Sequence, residues 1–211
     1  MGMSSHRRGG MWRPAAWIAA GVLMVSYTAA ASEMTAPIEQ LDAGLLQVMK
    51  AGKSTPFRQR YDLLAPLVTR AIDLDAILEG AVSANWGTLA SDQQAALRAA
   101  FQRYSIATYV ANFDDFGGER FELSAPVASG DPVVKVRIIA AKPGDTTHVL
   151  TYTMRQTPSG WKAVDVKADG TISQVVAQQE EIRAIVKSSG TGGLYARLQQ
   201  KTAELSGGTV K

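Results

Sequence analysis

The stretch Ser91-Asp-Gln-Gln-Ala-Ala-Leu-Arg-Ala-Ala-Phe-Gln-Arg-Tyr-Ser-Ile-Ala-Thr-Tyr-Val-Ala-Asn-Phe-Asp-Asp-Phe-Gly-Gly-Glu119 decides the fold. It reads as one long helix with a hard stop: Ser91 and Gln94 have capping-box spacing, and Gly117-Gly118 supplies the backbone freedom that ends a helix. About 25 residues at ~1.5 Å each make a rod of roughly 38 Å, enough to cross a small domain. At about 100° per residue the large side chains fall in two stripes, Leu97, Phe101 and Tyr104 on one side and Ile106, Tyr109, Phe113 and Phe116 about 130° round from it. Both stripes need cover, so the helix is expected between a sheet and other helices.

Downstream of Gly118 the period changes to two. Phe121 to Val127, Val134 to Ala140, Leu150 to Met154 and Trp161 to Val166 each alternate, which predicts four antiparallel strands. Their connectors, Ser129–Pro132, Lys142–Asp145 and Thr157–Gly160, carry turn residues. Lys135, Arg137, Thr151, Thr153 and Arg155 on the opposite phase make one face polar and leave the other for burial.

Helical spacing returns over 172–187 and again around Leu194, Leu198 and Leu205, with Gly190–Gly193 as a break. Upstream, Leu41, Leu45, Val48 and Met49 share a face closed by Gly52. Thr55-Pro56 opens a second helix that Pro66 should bend or split, and Asp73 caps a third. Trp86 sits in a connector just before the long helix, placed to plug a helix corner. Helices, then strands, then helices give an α+β single domain: a curved four-stranded antiparallel sheet wrapped on its apolar face by helices from both ends of the chain.

Residues 1–31 read as an export signal. Arg7, Arg8 and Arg13 precede an apolar run from Ala15 to Val25, and Ala29-Ala30-Ala31 matches the pattern signal peptidase cuts, giving a mature start at Ser32. A retained anchor helix is the alternative, against which the run is short of the ~20 apolar residues a span needs. Residues 32–205 are then the domain and 206–211 a disordered tail, and the mature protein is expected in the periplasm as a monomer.

The chain has 22 basic and 19 acidic residues, and its basic excess of three lies wholly in the signal. The mature protein is formally neutral, which removes the compositional argument for nucleic acid or for strong adhesion to anionic lipid. The absence of cysteine excludes thiol chemistry and thiolate metal sites. His148 is the one histidine after the signal, so a multi-histidine metal centre cannot be built. No cofactor or metal is expected. Asp115-Phe116-Gly117 spells a kinase triplet without the phosphate loop that gives it meaning. Asp114, Asp115 and Glu119 lack the alternation of a calcium loop and read as a solvated helix end.

Taken together, the residues resemble the MlaC-type, or toluene-tolerance, lipid-binding proteins, and within them are similar to the hopanoid-associated branch called HpnM. The resemblance spans about Pro56 to Lys201. It rests on Trp86-Gly87-Thr88-Leu89 with Asp92-Gln93-Gln94, on Ala107-Thr108-Tyr109 through Phe116-Gly117-Gly118-Glu119-Arg120-Phe121, and on Gly160-Trp161-Lys162 through Val164-Asp165-Val166 to Gly170. Glu181-Ile182-Arg183-Ala184-Ile185, Gly190 and Leu194 to Leu198 complete it. Gln179-Glu180 and Thr171-Ile172-Ser173 depart from the family pattern, at positions that bear on the lipid bound.

The resemblance implies a lipid, phospholipid or hopanoid, held by its acyl or apolar part between sheet and helices. It implies transfer between an inner-membrane ABC transporter of the MCE type and an outer-membrane complex, and no catalytic residues. On that reading Phe101, Tyr104, Tyr109 and Phe113 of the long helix face Val136, Ile138, Leu150, Tyr152 and Met154 of the sheet across a lipid cavity. Without the resemblance the same residues read as a solid core, which would suit an interaction or accessory subunit of a transporter with no ligand. A third possibility is a small enzyme using His148 with an aspartate such as Asp165.

Overall fold

The computed structural model describes residues 22–127, 130–142, 144, 146–170 and 172–210. Three helices come first, α1 (Val22–Ala51), α2 (Phe57–Ala71) and α3 (Leu74–Val82), and a 3-10 turn (Ser83–Thr88) leads into α4 (Ser91–Asn112). Strands β1 (Arg120–Leu123), β2 (Val133–Ile139), β3 (His148–Thr157), β4 (Gly160–Ala168) and β5 (Ile172–Ser173) form one antiparallel sheet in sequence order. A last helix, α5 (Gln174–Ser206), closes the chain. The α+β architecture is the one expected, with the two-residue β5 added to the four main strands.

Each helix of the first half follows its apolar spacing. Ile38, Leu41, Leu45 and Val48 of α1 are fully buried. Gly44 lets α1 and α2 approach closely, since a β-carbon there would collide with the Leu67 side chain. Gly52, at φ +61°, ends α1 in the left-handed region that glycine tolerates. Asp73 caps α3 by accepting from the Ala76 N–H at 3.2 Å. Pro66 does not split α2: the helix is continuous over 15 residues. Thr69 Oγ1 donates back to the carbonyl of Ala65 at 2.9 Å, one turn earlier in the same helix.

The organising helix is shorter than its sequence suggests. It starts one residue earlier in its capping, where Gln93 accepts from the Ala90 N–H at 3.1 Å, so Ser91 with Gln94 is not the capping pair. Gln94 turns back to the carbonyl of Trp86 at 3.0 Å and fixes the preceding 3-10 turn. Trp86 is half-buried there, stacked under the Arg98 guanidinium at 4.8 Å. At the other end Asn112 is the last helical residue and Phe113 the cap, ahead of the Gly117-Gly118 pair. The turn in between is held locally, with Gly117 N–H donating to Glu119 at 2.7 Å and Phe116 N–H to Asp115 at 2.9 Å.

The chain's ends differ from expectation in one respect. Residues 206–210 are not a disordered tail: Gly207 ends α5 in a left-handed cap, Val210 is 2% exposed, and its N–H donates to Ser206 Oγ at 3.2 Å. At the start, the basic residues and most of the apolar run assigned to the export signal lie outside the described residues, as do parts of the turns after β1 and β2. The expected cut after Ala31 falls inside α1, and burial resumes at once with Met34, Thr35 and Ile38. The folded unit therefore reaches back to within a few residues of the cut. In a chain beginning at Ser32, Ile38→Ala is expected to lower stability by about 2–5 kcal/mol in urea denaturation; an unchanged midpoint would place this turn outside the cooperative unit.

Two polar seams fix the helices on the sheet. At the junction of α2 and α3, the Asp73 N–H donates to the Ala163 carbonyl at 2.9 Å, Arg155 pairs with Asp73 at 2.8 Å, and Lys162 Nζ donates to the Thr69 carbonyl at 2.9 Å. At the start of α5, Ser173 caps the helix by accepting from Val176 N–H at 2.9 Å while its hydroxyl donates to Asp165 of β4. Gly190, at φ 67° and ψ −175°, breaks α5 into two helical stretches. The break expected at the glycines is therefore present, at Gly190.

Candidate functional site

A cavity of about 600 Å³ lies between α4, the β3–β4 part of the sheet, α3 and the first turns of α5. It exists because α1 and α4 are placed differently. Helix α1 approaches β1, β2 and β4, whereas α4 makes its main close approaches with α2, α3 and α5. The sheet side of the cavity is a register patch. Leu150 pairs with Ala168 and Tyr152 with Val166, and all four line the wall because strand residues two apart share a face. From α4 come Tyr104, Ser105, Thr108, Tyr109 and Asn112, and from its cap Phe113. Ile72, Leu74 and Ile77 close one flank and Val175 another, while Gln174, Ala177 and Glu181 are exposed at the rim.

Five of the nine residues expected around a cavity are brought together here: Tyr104, Tyr109, Phe113, Leu150 and Tyr152. The other four are not on its wall. Phe101 is 1% exposed, Val136 0% and Met154 2%, and these three belong to solid core. Phe101 lies one turn before the helix meets the hollow. Val136 sits on β2, which α1 approaches, and a register shift between Thr153 and Met154 interrupts the regular wall of β3. Ile138 is half-buried opposite Phe121 and His148, away from the hollow. The second stripe of α4 also divides: Ile106 is core, and Phe116, past the helix end, is 36% exposed with Lys50 Nζ 5.3 Å from its ring centre.

The aromatic wall is ordered by packing. Tyr109 and Phe113 stack with ring centres 6.2 Å apart, and Phe121 of β1 tilts against Phe113 at 6.4 Å. Arg60, itself 6% exposed, steadies this end of α4 by donating to the Val110 carbonyl at 3.2 Å and to the Thr55 carbonyl at 3.2 Å. A cation on carbonyls in the last turn also suits the helix dipole. On the α5 side, Gln179 donates to the Ile77 carbonyl at 3.2 Å and so joins α5 to α3 beside the cavity. The polar residue that stands out in the sequence thus ties two walls together.

Among the described residues no lysine or arginine is on the wall of the hollow, and at its rim Lys201 Nζ pairs with Glu181 and lies 5.7 Å from the Tyr104 ring centre. Behind the hollow, Asp42 of α1 is 6% exposed, and burial first, then the neighbouring Glu39, pushes its carboxyl up to about 7. Burial also pushes the Tyr109 phenol up to about 12 and the Tyr152 phenol well above its ordinary value, and the charge of Asp42 adds to both. Both phenols therefore remain neutral hydrogen-bonding groups. The wall combines large apolar side chains with a few neutral polar ones, the chemistry of a site for an apolar ligand.

The other motifs are local structure. His148 Nδ1 lies 2.9 Å from Asp169 and not on Asp165, whose partner is Ser173, so the aspartate beside the histidine is not the one named for the enzyme alternative. Asp169 also accepts the Val149 N–H at 2.8 Å, and these two bonds hold its carboxyl below the usual range. The pair is half exposed at the end of a strand, away from the hollow. Asp114 pairs with Lys53 at 3.4 Å, and Asp115 and Glu119 cap the turn after α4. Among the described residues no cluster of metal-ligating side chains is present.

Missing from the sequence reading were Ser105, Thr108 and Asn112, which run along α4 at spacings of three and four between the aromatic stripes. That polar line beside the buried Ile106, Ala107 and Val110 of α4 is the signal that could have revealed a hollow.

Comparison with known proteins agrees with this architecture. The structure of a phospholipid-binding protein from Ralstonia solanacearum, solved in complex with a phospholipid, superposes with a TM-score of 0.67. The match covers 84% of this chain and 98% of that one at 18% identity, a likeness of fold. No curated protein matches significantly. The family model for the MlaC protein matches residues 39–200, most of the described chain, and the protein is accordingly a member of the MlaC family.

Proposed function

We propose that the protein is a lipid carrier of the bacterial envelope, binding the apolar part of a phospholipid or hopanoid in the hollow beneath α4. The observation that carries this reading is the 600 Å³ space itself, set between aromatic and aliphatic walls where a solid core would have closed. It falls within the range of about 300–1,000 Å³ typical of ligand sites. Each methylene moved from water into such walls gains ~0.8 kcal/mol, so ten contribute about 8 kcal/mol before ordering costs. With Gln174 and Glu181 exposed at the rim, a polar headgroup can remain in water while the chains are inside. An accessory subunit without ligand has no use for that space.

Transfer between an inner-membrane ABC transporter and an outer-membrane complex, and membership of the hopanoid-associated branch, are part of the same reading, supported by family and by the signal-like residues 1–31. Cleavage after Ala31 would release the domain into the periplasm. No helix among the described residues is long and apolar enough to cross a membrane. Solvent extraction of protein purified from the periplasm, followed by mass spectrometry, is expected to give about one lipid per chain and to identify it as phospholipid or hopanoid. An empty extract from well-folded protein would overturn the carrier reading.

A further inference from the structure

The fold gathers opposite charges at one place on the mouth of the hollow. Glu181 of α5 and Tyr104 of α4 both line the cavity, and Lys201 Nζ pairs with Glu181 Oε1 at 2.5 Å while lying 5.7 Å from the Tyr104 ring centre. Glu181 and Lys201 are 20 residues apart, about 30 Å along a straight helix at ~1.5 Å per residue. They meet because Gly190, at positive φ between them, turns the second stretch of α5 back along the first. The same turn brings Lys201 to the cavity rim.

Both groups are within reach of a ligand: the Glu181 side chain is 47% exposed and that of Lys201 24%. The bond to Glu181, first among its causes, raises the Lys201 ammonium above its ordinary value, so the lysine is charged. Arg197, one turn earlier and exposed, donates to Gln200 and adds positive charge on the Lys201 side. Among the described residues the other polar side chains of the mouth, Thr108, Asn112, Gln174 and Gln178, are neutral.

An exposed ion pair contributes little to stability, because water screens it and both side chains lose freedom to hold it. To a ligand it offers two opposite charges side by side above an opening that takes apolar chains. A phospholipid that enters chains first presents the complement, a phosphate for Lys201 and a cation for Glu181. A primary ammonium suits the carboxylate best, since it donates charge-assisted hydrogen bonds. A headgroup that is anionic only sets its phosphate beside an uncompensated Glu181.

We propose that Lys201 and Glu181 form a headgroup site at the mouth of the cavity, Lys201 taking the phosphate and Glu181 the amine of a zwitterionic phospholipid. This rests on the carrier reading and adds the class of lipid preferred.

The test compares three lipids with the same dioleoyl chains: phosphatidylethanolamine, phosphatidylglycerol and diacylglycerol. Competition with a fluorescent phospholipid on the chain beginning at Ser32 gives the ratios of affinity. The ethanolamine lipid is expected to bind about tenfold more tightly than either of the others. Lys201→Gln should bring it to within about twofold of diacylglycerol, and Glu181→Gln to within about twofold of phosphatidylglycerol. Lys201→Arg, which keeps the charge, should retain the preference, and each variant is checked for folding by its unfolding midpoint. Equal or reversed affinities in the unsubstituted protein overturn the headgroup site while leaving the carrier reading intact. The same change in both neutral variants marks a purely structural pair and also overturns it. Displacement of the probe by free phosphoethanolamine at the same concentrations overturns the assignment to a lipid headgroup. Failure of every lipid to bind, diacylglycerol included, overturns the carrier reading and the site together.

Discussion

Ala168→Trp should empty the protein of lipid. Ala168 is half-buried on the β4 wall, directly opposite Leu150 in register, so a large ring there projects into the hollow. Lipid recovered per chain should drop about tenfold or more, while the unfolding midpoint shifts by an amount worth about 1 kcal/mol or less, since the ring fills space already open. The comparison is Phe101→Trp, in core with no space beside it. There the larger ring should cost about 1–3 kcal/mol and leave lipid loading near normal. Lipid content by mass spectrometry and urea denaturation, measured on both variants, decide the matter. A stable Ala168→Trp protein with full lipid load would show that the hollow is not the site.

The second large effect concerns Asp42 and pH. The acidic and polar groups that face it are Glu39 on its own helix, Tyr109 on α4 and Tyr152 on β3, and its Oδ1 has no partner among the described residues. Its carboxyl is raised from 3.8 to about 7 by burial and then by Glu39. For a carboxyl raised on folding, the folded state holds the proton more tightly than the unfolded state. Stability is therefore fully present below the unfolded value and declines as pH climbs from about 4 to about 7. At most about 4 kcal/mol is lost across that window, and the loss levels off above it. Asp42→Asn keeps the shape and removes the ionisation. The variant should match wild type near pH 4 and exceed it at pH 8, by several degrees in thermal unfolding. A pH-independent difference between the two proteins would contradict the assignment.

The elements were legible in the sequence because they rest on repeating burial. Leu41, Leu45 and Val48 mark α1, and the alternation of Val134 with Val136 marks β2, without any need of partners distant in sequence. The site was legible only in part. Period says which side chains turn inward and not whether they meet an atom or a space. Phe101 and Tyr104 share a stripe, yet three residues along the helix separate solid core from cavity wall. Tyr152 and Met154 share a phase, yet the register shift after Thr153 interrupts the regular pairing between them. Gln174, Gln178 and Glu181 carry no apolar signal in the sequence and line the cavity, because α5 starts where Ser173 pins it to Asp165. None of these separations is local, so none leaves a mark in a window of one sequence.

The carrier reading rests on the lipid chain being inside the space between α4 and β3–β4. A phospholipid bearing a diazirine in one acyl chain, loaded into the chain beginning at Ser32, irradiated and mapped by peptide mass spectrometry, reports that position directly. Adducts are predicted on the α4 segment from Tyr104 to Phe113 and on Tyr152, Val166 or Val175. Adducts confined to exposed apolar residues such as Val127 and Val176, on protein that carries its full complement of lipid, would contradict it.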